Sequence, residues 1–103
     1  MAGFIINTTF SVDKSVNQAW LDWIQKDFIP FIQKSGICKS HLLTRVLLQG
    51  GEDDFTYSLQ VVISDPQQTL LYDSLCHSAL EKSLPEMFPN MVYYFKTVLK
   101  IIE

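Results

Sequence analysis

Residues 55–61, Phe-Thr-Tyr-Ser-Leu-Gln-Val, alternate apolar and polar side chains without a break. A period of two marks an extended strand with one face against a core, because successive side chains of a strand point to opposite sides. Phe55, Tyr57, Leu59, Val61 and Ile63 are thereby assigned to the core, and Thr56, Ser58 and Gln60 to the other face. That second face meets water, a partner chain or a ligand, and the kind of protein depends on which.

The same alternation predicts a first strand over residues 4–12, with Phe4, Ile6, Thr8, Phe10 and Val12 opposed to Ile5, Asn7, Thr9 and Ser11. Asp13 or Ser15 caps a first helix, Ser15 with Gln18 as a capping-box pair. Val16, Ala19, Trp20, Trp23, Ile24, Phe28 and Phe31 follow at steps of three and four, which stacks them on one face. Pro30 lacks an amide donor and predicts a kink or restart near Ile29, and Gly36 can end the helix in the left-handed conformation. A second strand over 38–48 has mixed faces, Leu42, Thr44, Val46 and Leu48 opposite His41, Leu43, Arg45 and Leu47. Residues 49–54 supply a hairpin turn, and the third strand runs on to Ser64. Asp65, Pro66 and Gln68 open a second helix with a core stripe of Leu71, Leu75 and Ala79; Leu70, Cys76, Leu80 and Leu84 lie at its margins, and Pro85 and Pro89 predict its stop. A fourth strand over 91–102 puts Tyr93, Phe95, Leu99 and Ile101 on one side and Tyr94, Lys96, Val98 and Lys100 on the other.

The order βαββαβ within one domain of 103 residues predicts an α+β, ferredoxin-like fold: a four-stranded antiparallel sheet, order 4-1-3-2, with two helices on one face. Strands 1 and 3 are then central. Asn7 and Thr9 neighbour Thr56, Ser58 and Gln60 on the face that no helix covers, flanked by Arg45, Tyr94, Lys96 and Val98. Asn7, Thr9, Thr56, Ser58, Gln60, Tyr94 and Lys96 are the candidate ligand-binding residues, because enclosed amides and hydroxyls need partners. The plain alternative is a solvated face, as antiparallel sheets commonly carry.

His77 is the candidate catalytic group, imidazole being the usual acid–base near neutral pH, although the sequence places no carboxylate to orient it. Cys38-x-x-His41 and Cys76-His77 add up to four metal-ligand types. Adjacent helical residues point about 100° apart, however, and cysteine as a small buried hydrophobe accounts for both thiols. No metal and no cofactor is expected.

Net charge is −3 and the eight Lys and Arg are scattered, which excludes the basic patch that nucleic acid requires. The apolar run at Phe4 is interrupted at Asn7, so neither a signal peptide nor a membrane span is expected, and two cysteines without an export signal fit a reducing cytoplasm. A composition 48% hydrophobic and 13% aromatic is more apolar than a small monomer easily hides, which predicts a homodimer. The functional expectation is a small-ligand-binding or accessory protein without catalysis of its own. The competing classes are a cofactor-free monooxygenase- or isomerase-like enzyme working on the polar sheet face, and a structural interaction module.

Trp20-x-x-Trp23, Ile29-Pro30 followed by Gly36, Thr56-Tyr57-Ser58-Leu59-Gln60 and Phe95-Lys96-Thr97 together resemble the bacterial domain of unknown function 4286 family, which belongs with dimeric α/β-barrel proteins. The resemblance spans nearly the whole chain. It implies that two sheets pack through their helix-free faces into a barrel, a place for a small apolar ligand. The chain departs from it at Phe28, where similar chains carry His before Ile-Pro, and at Cys76, where a His is expected and His77 stands beside it. Shared architecture does not carry function.

Overall fold

The computed structural model describes residues 3–47 and 55–103; Leu48 and the expected hairpin turn at 49–54 lie outside them. Strands β1 (Phe4–Val12), β2 (Ser40–Arg45), β3 (Phe55–Ile63) and β4 (Val92–Lys100) form one antiparallel sheet in the order β2-β3-β1-β4. This is the predicted order read from the other edge. β1 and β3 match their alternation, while β2 and β4 are shorter than the spacing suggested.

The first helical segment begins with a short turn at Lys14–Val16, capped by Asp13, whose carboxylate accepts from the Ser15 backbone N–H at 3.0 Å. The Ser15–Gln18 box does not form; Gln18 donates instead to Asp22 at 3.2 Å. Gly36 ends the helix at φ 75°, the conformation that a residue without Cβ adopts freely. At the second helix the Gln68 side chain accepts from the Asp65 N–H at 3.2 Å, as the capping signal predicted.

The helices differ from expectation in which residues they bury. Ile32, Tyr72, Cys76, Leu80 and Leu84 are in the core, whereas Phe31, Leu71 and Leu75 are 44%, 51% and 47% exposed. Each helix contains one wide π-type turn, Ile24–Phe28 in the first and Asp73–His77 in the second, closed by Ile29 N–H to Ile24 C=O and Ser78 N–H to Asp73 C=O. In a regular helix a row at four-residue steps drifts by about 40° per step. The extra residue of a π-turn takes back most of that drift. Trp20, Ile24, Phe28 and Ile32 therefore stay in one buried row, as do Tyr72, Cys76, Leu80, Leu84 and Phe88. The helix restarts at Ile29, as Pro30 suggested. Pro85 does not stop the second helix, which continues to Met87, since the acceptor that Pro85 forgoes belongs to exposed Glu81.

The core lies between the helices and one sheet face. Phe10 meets Trp20 at 5.0 Å between ring centroids, and Trp20 meets Tyr57 at 4.9 Å, which places the first helix over β1 and β3. Such pairs contribute about 0.5–1.5 kcal/mol beyond burial. Tyr57 donates its hydroxyl to Asn17 at 2.6 Å, so a ring sunk in the core still satisfies its polar end. No helix among the described residues is long and apolar enough to cross a membrane.

Candidate functional site

Residues paired across an antiparallel sheet share a face. Asn7 pairs with Gln60 and Thr97, Thr9 with Ser58 and Phe95, and Ser11 with Thr56 and Tyr93. Ile5 pairs with Val62 and Leu99, and from β2 Ser40, Leu42 and Thr44 face Val62, Gln60 and Ser58. The structure thus brings together Asn7, Thr9, Thr56, Ser58 and Gln60 as the sequence predicted. Ser58 donates its hydroxyl to Asn7 Oδ1, Asn7 Nδ2 donates to Thr9 Oγ1 at 3.4 Å, and Thr44 donates to the Ser58 carbonyl at 3.3 Å. Apolar side chains border this line, Leu42 on one edge and Tyr93 and Phe95 on the other, Phe95 being 63% exposed.

None of the fifteen residues on this face carries a charge. An open protein surface is about 25–35% charged, so about four or five charges would be ordinary here. The face also lacks His, Cys, Asp, Glu and Lys, the side chains that most often transfer protons. It is built to hydrogen-bond and to bury apolar area.

Tyr94 and Lys96 are not on this face, which corrects the sequence reading; nor are Arg45 and Val98. Lys96 pairs with Thr8, Tyr94 with Phe10, Val98 with Ile6 and Arg45 with Tyr57, all on the helix side. Strand β4 is apolar on both faces at its start, so alternation alone does not reveal its parity. The pairing of Val92 with Val12, both buried, decides it.

Tyr94 and Lys96 instead meet the second helix, at His77 and Asp73. The His77 ring lies edge-on to Tyr94 at 5.8 Å, and one helical turn earlier Asp73 forms an ion pair with Lys96. Asp73 is the member of this seam that the sequence reading missed. Its signal was the match between four-residue spacing on the helix, Asp73 to His77, and two-residue spacing on the strand, Tyr94 to Lys96. His77 Nδ1 is buried without a hydrogen-bond partner. Burial, with Glu81 nearby, raises the Tyr94 hydroxyl above its ordinary pKa. Deeper in, the Tyr72 and Thr8 hydroxyls approach each other in the core without forming a hydrogen bond, and burial drives the tyrosine far above its usual range.

The two cysteines are free thiols. Burial pushes Cys76 up to about 11 and raises Cys38 as well, so neither is a nucleophile at neutral pH. No group of three or more His, Cys, Asp or Glu among the described residues is placed to hold a metal ion.

The domain of unknown function DUF4286 matches residues 3–102. No curated protein matches. Three solved structures share the fold. A dimeric ferredoxin-like protein from an uncultured marine organism has a TM-score of 0.63 at 13% identity, covering 100% of this chain and 98% of that one. A Bacillus cereus protein provisionally named an antibiotic biosynthesis monooxygenase has a TM-score of 0.68 at 13% identity, covering 100% and 96%. HapK from Hahella chejuensis has a TM-score of 0.66 at 14% identity, covering 100% and 92%.

Proposed function

The chain belongs to the DUF4286 family, and we propose that it acts as a homodimeric binding protein, two copies meeting through their helix-free sheet faces around a small uncharged ligand. The observation that carries this reading is the absence of charge from all fifteen residues of that face. A neutral face meets its own copy without like-charge repulsion, whereas buried charges would each need a partner. Strands about 4.8 Å apart, three of nine residues and one of six at about 3.3 Å each, give a footprint of about 520 Å2 per subunit. Two such footprints exceed the ~1,000 Å2 of a specific interface even before side-chain relief is counted. The dimeric ferredoxin-like protein of the same fold supports a dimer.

Asn7, Thr9, Thr56, Ser58 and Gln60 then lie enclosed, and Phe95, Tyr93 and Leu42 supply the apolar walls. Hydroxyls and amides in that setting recognise a carbonyl or hydroxyl on an otherwise apolar molecule. Binding rather than catalysis is supported by the lack of His, Cys, Asp, Glu and Lys on the face. An enzyme reading would have to use His77, which lies on the other side of the sheet with its Nδ1 buried and unpartnered.

Light scattering on the sized protein tests the assembly with a sided pair of changes. Phe95→Asp places a charge on the proposed interface and Val98→Asp places one on the helix side of the same strand. The first is expected to give a monomer and the second to leave the dimer intact. A monomeric wild type, or a dimer that survives Phe95→Asp, refutes the reading.

A further inference from the structure

Trp23, Asp27, Phe28 and Phe31 of the first helix and Ala79 and Ser83 of the second line a groove of about 210 Å3 between the two helices. Helical spacing assigned Phe31 and Ala79 to the core. The wide turns rotate them out of it, and Phe31, 44% exposed, becomes a wall of the groove while Ile32 takes the core position. The Trp23 and Phe28 rings stack at 5.4 Å with 19° between their planes. Asp27 lies within the wide turn itself and makes no ion pair among the described residues. Across the groove, the short Ala79 and Ser83 side chains leave the space open.

We propose that this groove binds a small organic cation, an alkylated ammonium with an apolar body. Trp23 and Phe28, only 9% and 3% exposed, form the apolar floor, and Phe31 is the ring whose electron-rich face is open to a cation; methyl groups on nitrogen spread the charge so that the cation also gains from apolar contact. The Asp27 carboxylate supplies the opposite charge at the rim and disfavours anions. At about 30 Å3 per water-sized group, the space holds about seven non-hydrogen atoms. The groove belongs to the helices and stays open whether or not two sheets meet, so this site does not rest on the dimer reading.

Choline fits that size, and 3,3-dimethylbutan-1-ol is its uncharged carbon isostere. Both are titrated into the whole protein at constant ionic strength while the Trp23 indole N–H resonance is followed by NMR. Choline is expected to saturate with a Kd in the millimolar range, and the isostere to bind about tenfold more weakly. Asp27→Asn, a change at an exposed position that leaves the core intact, is expected to weaken choline about fourfold without affecting the isostere. Equal affinity for the two molecules, no saturation by choline, or an unchanged Kd in Asp27→Asn overturns the proposal. Binding of a trimethyllysine peptide in the absence of choline binding overturns it too, since the occupant would then be a protein side chain rather than a free cation.

Discussion

Leu80 and Leu75 stand five residues apart on the second helix, and truncating each to alanine removes the same atoms from opposite environments. Leu80 is fully buried, whereas Leu75 is 47% exposed. Loss of a buried leucine side chain costs its transfer free energy plus the cavity it leaves, about 3 kcal/mol. At Leu75 roughly half the transfer term is at stake and no closed cavity forms, so about 1 kcal/mol is expected. At about 2.1 cal/mol/K per residue, 103 residues give an unfolding entropy near 0.2 kcal/mol/K. The midpoints should then fall by about 14 °C and about 5 °C respectively. Thermal unfolding followed by tryptophan fluorescence gives these midpoints and urea unfolding the free energies, both at one protein concentration because dimer formation adds to apparent stability. If Leu75→Ala costs as much as Leu80→Ala, the second helix sits in the phase that simple spacing indicated. The wide-turn argument then fails, and the placement of Ala79 on the inter-helix groove fails with it.

Thr8 is fully buried and its hydroxyl has no partner, so Thr8→Val should raise stability by about 1 kcal/mol in the same urea assay; a loss of that size would show the hydroxyl to be paired, with Tyr72 facing it. The Cys76 thiol is held neutral up to about 11 against an ordinary value of 9.0. A folded-state pKa raised in this way contributes stability that is complete below pH 9 and is lost as pH rises toward about 11. The unfolding midpoint should therefore fall across that window in the wild type and less so in Cys76→Ala. Iodoacetamide at pH 8 should modify Cys76 only once urea opens the fold, and labelling at the rate of a free thiol would contradict its burial.

The parity of β1 and β3 and the order of the helices were legible in the sequence because each rests on local chemistry. Phe4 to Val12 and Phe55 to Ile63 alternate cleanly, and β1 and β3 begin and end where the alternation does. Gly36 and the Asp65–Gln68 cap act within a few bonds of themselves and appear as read. The helix interiors were less legible, because a π-turn leaves no residue type of its own. Its trace is a row at four-residue steps, Tyr72, Cys76, Leu80, Leu84 and Phe88, hidden among the equally apolar Leu70, Leu71 and Leu75. Of the candidate site, the five central residues followed from strand order. Tyr94 and Lys96 were misplaced because Tyr93, Tyr94 and Phe95 make both faces of β4 look alike, and pairing to β1 is a long-range fact.

Every charge in the sheet lies on its helix side: Lys96 and Lys100 on β4, and Arg45 on β2. β2 and β4 are also the outer strands, whose unpaired N–H and C=O groups can template fibril growth. Cationic side chains on an outer strand discourage such edge-on stacking. With these cations turned to one side, the sheet is guarded against sideways aggregation while its open face stays free of charge. A substitution that moved Lys96 by one position along β4 would place its charge on that open face, and the same molecule would trade solubility at its edge for repulsion across it.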